Sequence, residues 1–207
     1  MNALDYALSK HPIIISVTDL KDLDKALEAD SSIIILINAD ICTIHDVVNQ
    51  VKETNKLIFV HIDLMKGLKK DDSSIEYLAK HVGVDGIVTT HAKLISIAKK
   101  FKLLTIQRVF ILDTASIEQG LKSIQDSKPD AVEILPGIAV PHIQKKLKSN
   151  IHRTVIAAGL INSMEEIVYI LKNGAQGISA SATELWNGST EVIKKLNINT
   201  HAPVGKL

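Results

Sequence analysis

The sequence predicts a compact (β/α)8 barrel, a TIM barrel in one domain, from three observations. Apolar runs alternate eight times with segments of helical period, at intervals of roughly 20–28 residues, and the chain is close to the ~200-residue lower end for that fold. Hydrophobic residues make up 46% of the chain but aromatics only 3%, so the core falls to Ile, Val, Leu and Ala, as parallel strands buried on both faces require. After the first run, Ser16-Val17-Thr18-Asp19 holds no glycine, where an open doubly wound sheet would carry its Gly-rich turn. No Gly/Ser/Pro-rich linker divides the chain. The expected organisation is a barrel over residues 1–190 and a C-terminal helix and tail over 191–207.

In order, Asn2 to Ser9 reads as a short helix burying Leu4 and Leu8, placed to close the bottom of the barrel. The first strand is Pro12 to Val17; Thr18 or Asp19 caps a helix with Leu20, Leu23 and Leu27 on one face. Ile33 to Ile37 is the second strand, and Thr43-Ile-His-Asp46 reads as a capping box before the stripe Ile44, Val47, Val48 and Val51. Leu57 to Ile62 is the third, followed by a polar loop and the stripe Ile75, Leu78, Ala79 and Val82. Asp85 to Val88 comes fourth, with Leu94, Ile97, Ala98 and Phe101 behind it. Leu103 to Arg108 is the fifth, with Ile117, Gly120, Leu121 and Ile124. Ala131 to Leu135 is the sixth, before a weaker helix around Ile143 and Leu147. Val155 to Ala158 is the seventh, with Met164, Ile167, Val168 and Leu171, and Gly177 to Ala180 closes the set. Asn187-Gly188-Ser189 breaks the pattern, Glu191 to Leu196 forms a last helix, and Thr200 to Leu207 is a loose tail.

The charge balance narrows the function classes. With 24 basic and 23 acidic residues the net charge is +1, so nothing global favours nucleic acid or a membrane, although a local patch stays open. The lysine pairs 69–70, 99–100, 145–146 (with Lys148) and 194–195 read as solvated helix faces or ends. The few aromatics fall mostly on core stripes or strands, and no stacking platform for RNA bases is visible. Cys42 is the only cysteine, which excludes an internal disulfide and a cysteine zinc site; it is expected to be a small hydrophobe near a strand end. No apolar run approaches the ~18 residues of a membrane span, and the first ten residues lack a secretory pattern. A cytosolic setting is expected.

Ligands of such a barrel meet the carboxyl ends of the strands. Val155 to Trp186 carries two apolar runs ending in small residues, and Gly159, Ser179 and Ser181 are expected to leave main-chain N–H groups uncovered as an anion cradle, aided by a helix N-terminus. After the third strand, His61 and Asp63 share a face by the period of two. At the fifth, one of Gln107 and Arg108 must face inward and the other the helices; Arg108 could bind an anion or pair with Asp113. Glu133 lies in an aliphatic strand, where a carboxylate is costly unless paired or hydrogen-bonded. Pro136-Gly137 reads as a rigid turn with a bare amide. His61, Asp63 and Glu133 could together hold magnesium, but no ligand-spacing motif supports a metal, and none is expected.

Phe59-Val-His-Ile-Asp-Leu64, Leu104-Thr-Ile-Gln-Arg108, Ser127-Lys-Pro-Asp-Ala-Val-Glu-Ile-Leu-Pro-Gly137 and Ala157-Ala-Gly-Leu-Ile161 together resemble the glycerol-3-phosphate-responsive antiterminator family. Asp40-Ile-Cys-Thr-Ile44 and Ser181-Ala-Thr-Glu-Leu-Trp186 extend the resemblance, which runs from about Pro12 to Trp186. It implies a barrel that senses glycerol 3-phosphate without turning it over, needs no cofactor, and then binds the leader mRNA of glycerol operons to prevent termination. Gly159, Ser179 and Ser181 would hold the phosphate. Gly137 and Glu133 would receive the hydroxyls, with His61, Asp63 and Gln107 as further candidates. A homodimer stays open. The rival reading is an enzyme on a small phosphate ester, aldolase- or phosphodiesterase-like, with His61, Asp63 or Glu133 as acid or base. What disfavours it is the lack of a convincing catalytic constellation, such as a strand-end lysine in the core for a Schiff base.

Overall fold

In the computed structural model, which describes residues 1–196, eight parallel strands close into a barrel in sequence order, β8 pairing with β1. They are β1 (Ile13–Val17), β2 (Ile33–Leu36), β3 (Leu57–His61), β4 (Gly86–Thr89), β5 (Leu104–Phe110), β6 (Ala131–Leu135), β7 (Thr154–Ala158) and β8 (Gly177–Ala180). The expected fold is observed, with strand ends within two residues of those read from the sequence. The expected tail from Thr200 to Leu207 lies outside the described residues.

The helices are α1 (Ala3–Lys10), α2 (Leu23–Glu28), α3 (Ile44–Glu53), α4 (Asp72–Tyr77), α5 (Ala92–Lys100), α6 (Thr114–Ser127), α7 (Val140–Asn150), α8 (Met164–Lys172) and α9 (Ser189–Leu196). Most bury one apolar stripe; α3 buries Ile44, Val47, Val48 and Val51, as its period requires. Its start differs from expectation. Thr43 makes no side-chain cap, and Asp46 lies beside His45 instead of reaching back. Asp40 organises the turn: its carboxylate accepts the Cys42 N–H, and its carbonyl accepts those of Thr43 and Ile44. Asp is well suited to such a turn because its short side chain bonds the backbone two residues on. Cys42 is therefore exposed on a turn, not a small hydrophobe packed at a strand end.

The barrel interior is aliphatic at the amino end of the strands. Ile14, Ile35, Phe59, Val88, Ile106 and Ile156 pack there with Leu4, Ala7 and Leu8 of α1, which plugs the bottom as expected. Asn2 and Asp5 form the capping box that starts this helix. Gly86 makes room for the Phe59 ring: a Cβ there would lie 2.3 Å from Phe59 Cε1. The polar face of the barrel must therefore be its other end.

Candidate functional site

Above the aliphatic layer the same inward stripes turn polar. Two residues on from Phe59, Ile106, Ala131, Ile14 and Gly177 come His61, Arg108, Glu133, Ser16 and Ser179, all but Arg108 fully enclosed. Strand alternation fixes this placement. Glu133 pairs in register with Arg108 on β5 and Ile156 on β7. Arg108 Nε donates to Glu133 Oε2 at 2.6 Å, with the arginine side chain 11% and the glutamate 0% exposed. The buried carboxylate is thus paired, as its position demands, and Arg108 pairs with Glu133 and not with Asp113.

Two buried atoms in this layer have no partner among the described residues: Glu133 Oε1 and His61 Nδ1. Burial, and then the Arg108 guanidinium, hold the His61 imidazole below its ordinary range, against the opposing pull of Asp63 and Glu133. A neutral histidine beside a paired carboxylate offers one ring nitrogen and one oxygen for a hydroxyl.

Two expected neighbours are placed elsewhere. Gln107 points outward: its amide donates to Ser123 Oγ at 2.7 Å, and its carbonyl accepts from Ser127 Oγ, both on α6. The structure does not bring it to the rim; Arg108 is the inward member of the pair. Asp63 does not share the strand face of His61, because β3 ends at His61 and a 3-10 turn over Ile62–Leu64 redirects the chain. Its carboxylate instead ties down the end of β4, accepting from Thr89 Oγ1 at 2.5 Å, Thr90 N–H at 2.7 Å and Thr90 Oγ1 at 2.8 Å. Burial alone would raise the Asp63 pKa, but these hydrogen bonds outweigh it and hold the carboxyl below its usual range.

The rim at β7 and β8 brings the small residues together. Ala158 and Ser179 are register partners, so Gly159 and Leu160 leave β7 next to Ala180 and Ser181 at the end of β8. Gly159 turns in the left-handed region at φ +76°, and Leu160 follows at φ +56° with its side chain in solvent. Among the described residues the N–H groups of Gly159, Leu160, Ser181 and Ala182 meet no acceptor. Gly137 behaves otherwise: its amide, expected to be bare, donates to the Gly159 carbonyl at 3.0 Å. It braces the cradle and donates nothing to its mouth. The Ser179 hydroxyl is 2.6 Å from Ser16 Oγ, and their single hydrogen bond leaves one of the two hydroxyl protons free.

The start of α8 is closed as well. Ser163 caps it, and Glu166 accepts the Asn162 N–H, so this helix end already faces a carboxylate. Two residues without an expected role also shape this end of the barrel: Ser16, bonded to Ser179, and Trp186, whose indole N–H donates to the Ala180 carbonyl at 2.9 Å and anchors the end of β8. An alternation count carried one strand further would have found Ser16. A cavity of about 510 Å3 lies at the opposite end, against α1, lined by Leu8, Pro12, Leu171, Ala175, Ile193 and Leu196. Among the described residues, no three His, Cys, Asp or Glu side chains are grouped to hold a metal, and no helix is long and apolar enough to cross a membrane.

Residues 13–186 match the family model described as glycerol-3-phosphate responsive antiterminator. The crystal structure of a glycerol uptake operon antiterminator regulatory protein from Listeria monocytogenes superposes with a TM-score of 0.80 at 34% identity, covering 85% of this chain and 95% of that one. A glycerol uptake operon antiterminator-related protein from Thermotoga maritima gives 0.76 at 32% identity, over 85% and 98%. A curated Escherichia coli K12 protein, YgcP, described as uncharacterized, is 30% identical over 181 residues, 87% of this chain and 94% of its own.

Proposed function

Because the chain belongs to the glycerol-3-phosphate-responsive antiterminator family, we propose that it binds glycerol 3-phosphate at the β7–β8 rim and, so loaded, binds the leader of a glycerol-operon transcript and prevents its termination. The observation that carries this reading is the pair of adjacent strand ends whose amides, at Gly159 and Leu160 and at Ser181 and Ala182, are unclaimed. Convergent N–H groups suit a phosphate because they supply donors without side-chain ordering. The hydroxyl end points down the barrel toward His61 and Glu133. Glu133 Oε1 accepts from a hydroxyl but cannot receive a hydrogen bond from a carbonyl, which has none to give. In this structure Oε1 is sealed from solvent. A hydroxyl reaches it only as neighbouring side chains move, and this is the ligand-coupled change that linkage requires.

Supporting a sensor over an enzyme, the inward polar residues at the strand ends are His61, Arg108, Glu133, Ser16 and Ser179, a set without the amine that a Schiff-base nucleophile would supply. Incubation with three-carbon phosphates and magnesium is expected to leave them unchanged; turnover would overturn the sensor reading. The deciding experiment is a leader-RNA titration with and without glycerol 3-phosphate. A rise in affinity of about tenfold or more is expected, within the usual range of allosteric coupling. Equal affinity in both arms would sink the reading.

A further inference from the structure

Resting on the reading that this chain binds RNA, we propose that the exposed side of α7 and the turn leading from it into β7, Lys145 to Arg153, is where the RNA backbone docks. From Ile134 to Met164 the chain contains no Asp or Glu, in a molecule whose net charge is only +1. That stretch presents Lys145, Lys146, Lys148 and Arg153, with His142 and His152, all exposed. Among the described residues none of these cations is in an ion pair. Elsewhere Lys25 pairs with Asp22, Lys52 with Asp85, Lys80 with Glu76 and Lys195 with Glu191. Lys145 and Lys148, three residues apart, share one face of the helix. Lys148, His152 and Arg153 line one hollow of about 410 Å3. The acids in that hollow, Asp5 and Asp130, are engaged by Thr154 and by Thr105.

The chemistry favours a polyanion over an apolar partner. Leu147 and Ile151 are buried, Ile143 is half-buried, and no large hydrophobic residue between Val140 and Arg153 is exposed. A membrane-surface helix would need such an apolar face. The placement also supplies the coupling. The 3-10 turn Gly137–Ala139 leads directly into α7, and the Gly137 N–H is bonded to the Gly159 carbonyl. One end of α7 therefore hangs on the ligand cradle while the other carries the cations. A change at Gly159 moves the surface that meets RNA.

The test compares wild type, the triple variant Lys145→Glu/Lys146→Glu/Lys148→Glu, and the control Lys69→Glu/Lys70→Glu, which reverses two exposed lysines in the β3–α4 loop. Each is titrated with leader RNA in glycerol 3-phosphate, and each is checked for the ligand-induced rise in Tm. The triple variant is expected to lose about 100-fold or more in RNA affinity at ~0.1 M salt while keeping its thermal shift; the control should change by less than about threefold. Neutral Lys→Gln versions should flatten the salt dependence by about two log units per log of salt, as three lost single-strand phosphate contacts predict. A triple variant that binds like wild type overturns this surface and leaves the sensor reading intact. Wild type that binds no leader RNA overturns both. Wild type that sediments with phosphatidylglycerol vesicles and not with RNA assigns the patch to a membrane and refutes the proposal.

Discussion

Glu133 and Arg108 hold each other in place, and each would be intolerable alone. Arg108→Met strands a carboxylate with no solvent access and should cost about 3–5 kcal/mol, the usual penalty for breaking a buried pair. Arg108→Met with Glu133→Leu should recover most of that loss, because the uncompensated charge is gone. Urea unfolding of the three proteins measures this; a single variant within about 1 kcal/mol of wild type would mean that the pair behaves as if solvated. His61 adds a pH signature. Its imidazole is lowered by burial first and Arg108 second, so it stays neutral in the folded chain below the pH at which the unfolded chain protonates. Between the folded pKa and about 6.5 the unfolded state holds the extra proton, so stability rises with pH through that window, is lost as pH falls through it, and does not change further from this group once both states are protonated. His11 is lowered too and contributes in the same direction. In a His11→Gln background, His61→Gln should flatten the remaining slope in that window, read from unfolding midpoints; an unchanged slope would remove His61 as its source.

At the level of elements, the paired ends of β7 and β8 form the proposed phosphate site, and Gly159 is the residue to test. A Cβ there has room, its nearest neighbour being Leu135 Cδ2 at 3.5 Å, but φ is +76°. Gly159→Ala should therefore cost only the left-handed strain of about 1–2 kcal/mol, while losing about tenfold or more in glycerol 3-phosphate affinity as the cradle shifts. Calorimetric titration beside thermal unfolding separates the two; a variant that loses stability but keeps its affinity would place the phosphate elsewhere. How far these elements could be read from the sequence follows from what sets them. Strands buried on both faces announce themselves as aliphatic runs, and Glu133 stood out because a carboxylate in such a run needs a partner. Gln107 and Arg108 show the limit: alternation says that one faces in, but the phase comes from Ile106 joining the interior layer beside Phe59 and Val88. Asp63 left the expected stripe because a 3-10 turn ends the alternation at His61. Gly137 lost its free amide to Gly159, a partner more than twenty residues away that no local pattern specifies.

The whole molecule divides its two ends by chemistry. α1 seals the amino end of the strands with Leu4 and Leu8, which leaves the carboxyl end as the way into the polar layer. A net charge of +1 gives the protein no long-range pull on a polyanion, so any salt dependence of RNA binding must arise from a local group of cations. If Lys145, Lys146, Lys148 and Arg153 each neutralise one phosphate of a single-stranded leader, the log–log slope of affinity against salt should be about −3. Glycerol 3-phosphate should shift that line upward with little change in slope if it alters the geometry of α7 and not the number of contacts. Linkage adds a second, independent check on the same molecule. Whatever factor glycerol 3-phosphate contributes to RNA affinity, leader RNA must contribute equally to glycerol 3-phosphate affinity. Calorimetry of the ligand into free and RNA-saturated protein should return the factor found by RNA titration. Unequal factors, with both equilibria reached, would mean that the two partners do not share one two-state element, and that the path from Gly159 through Gly137 to α7 is not the one that couples them.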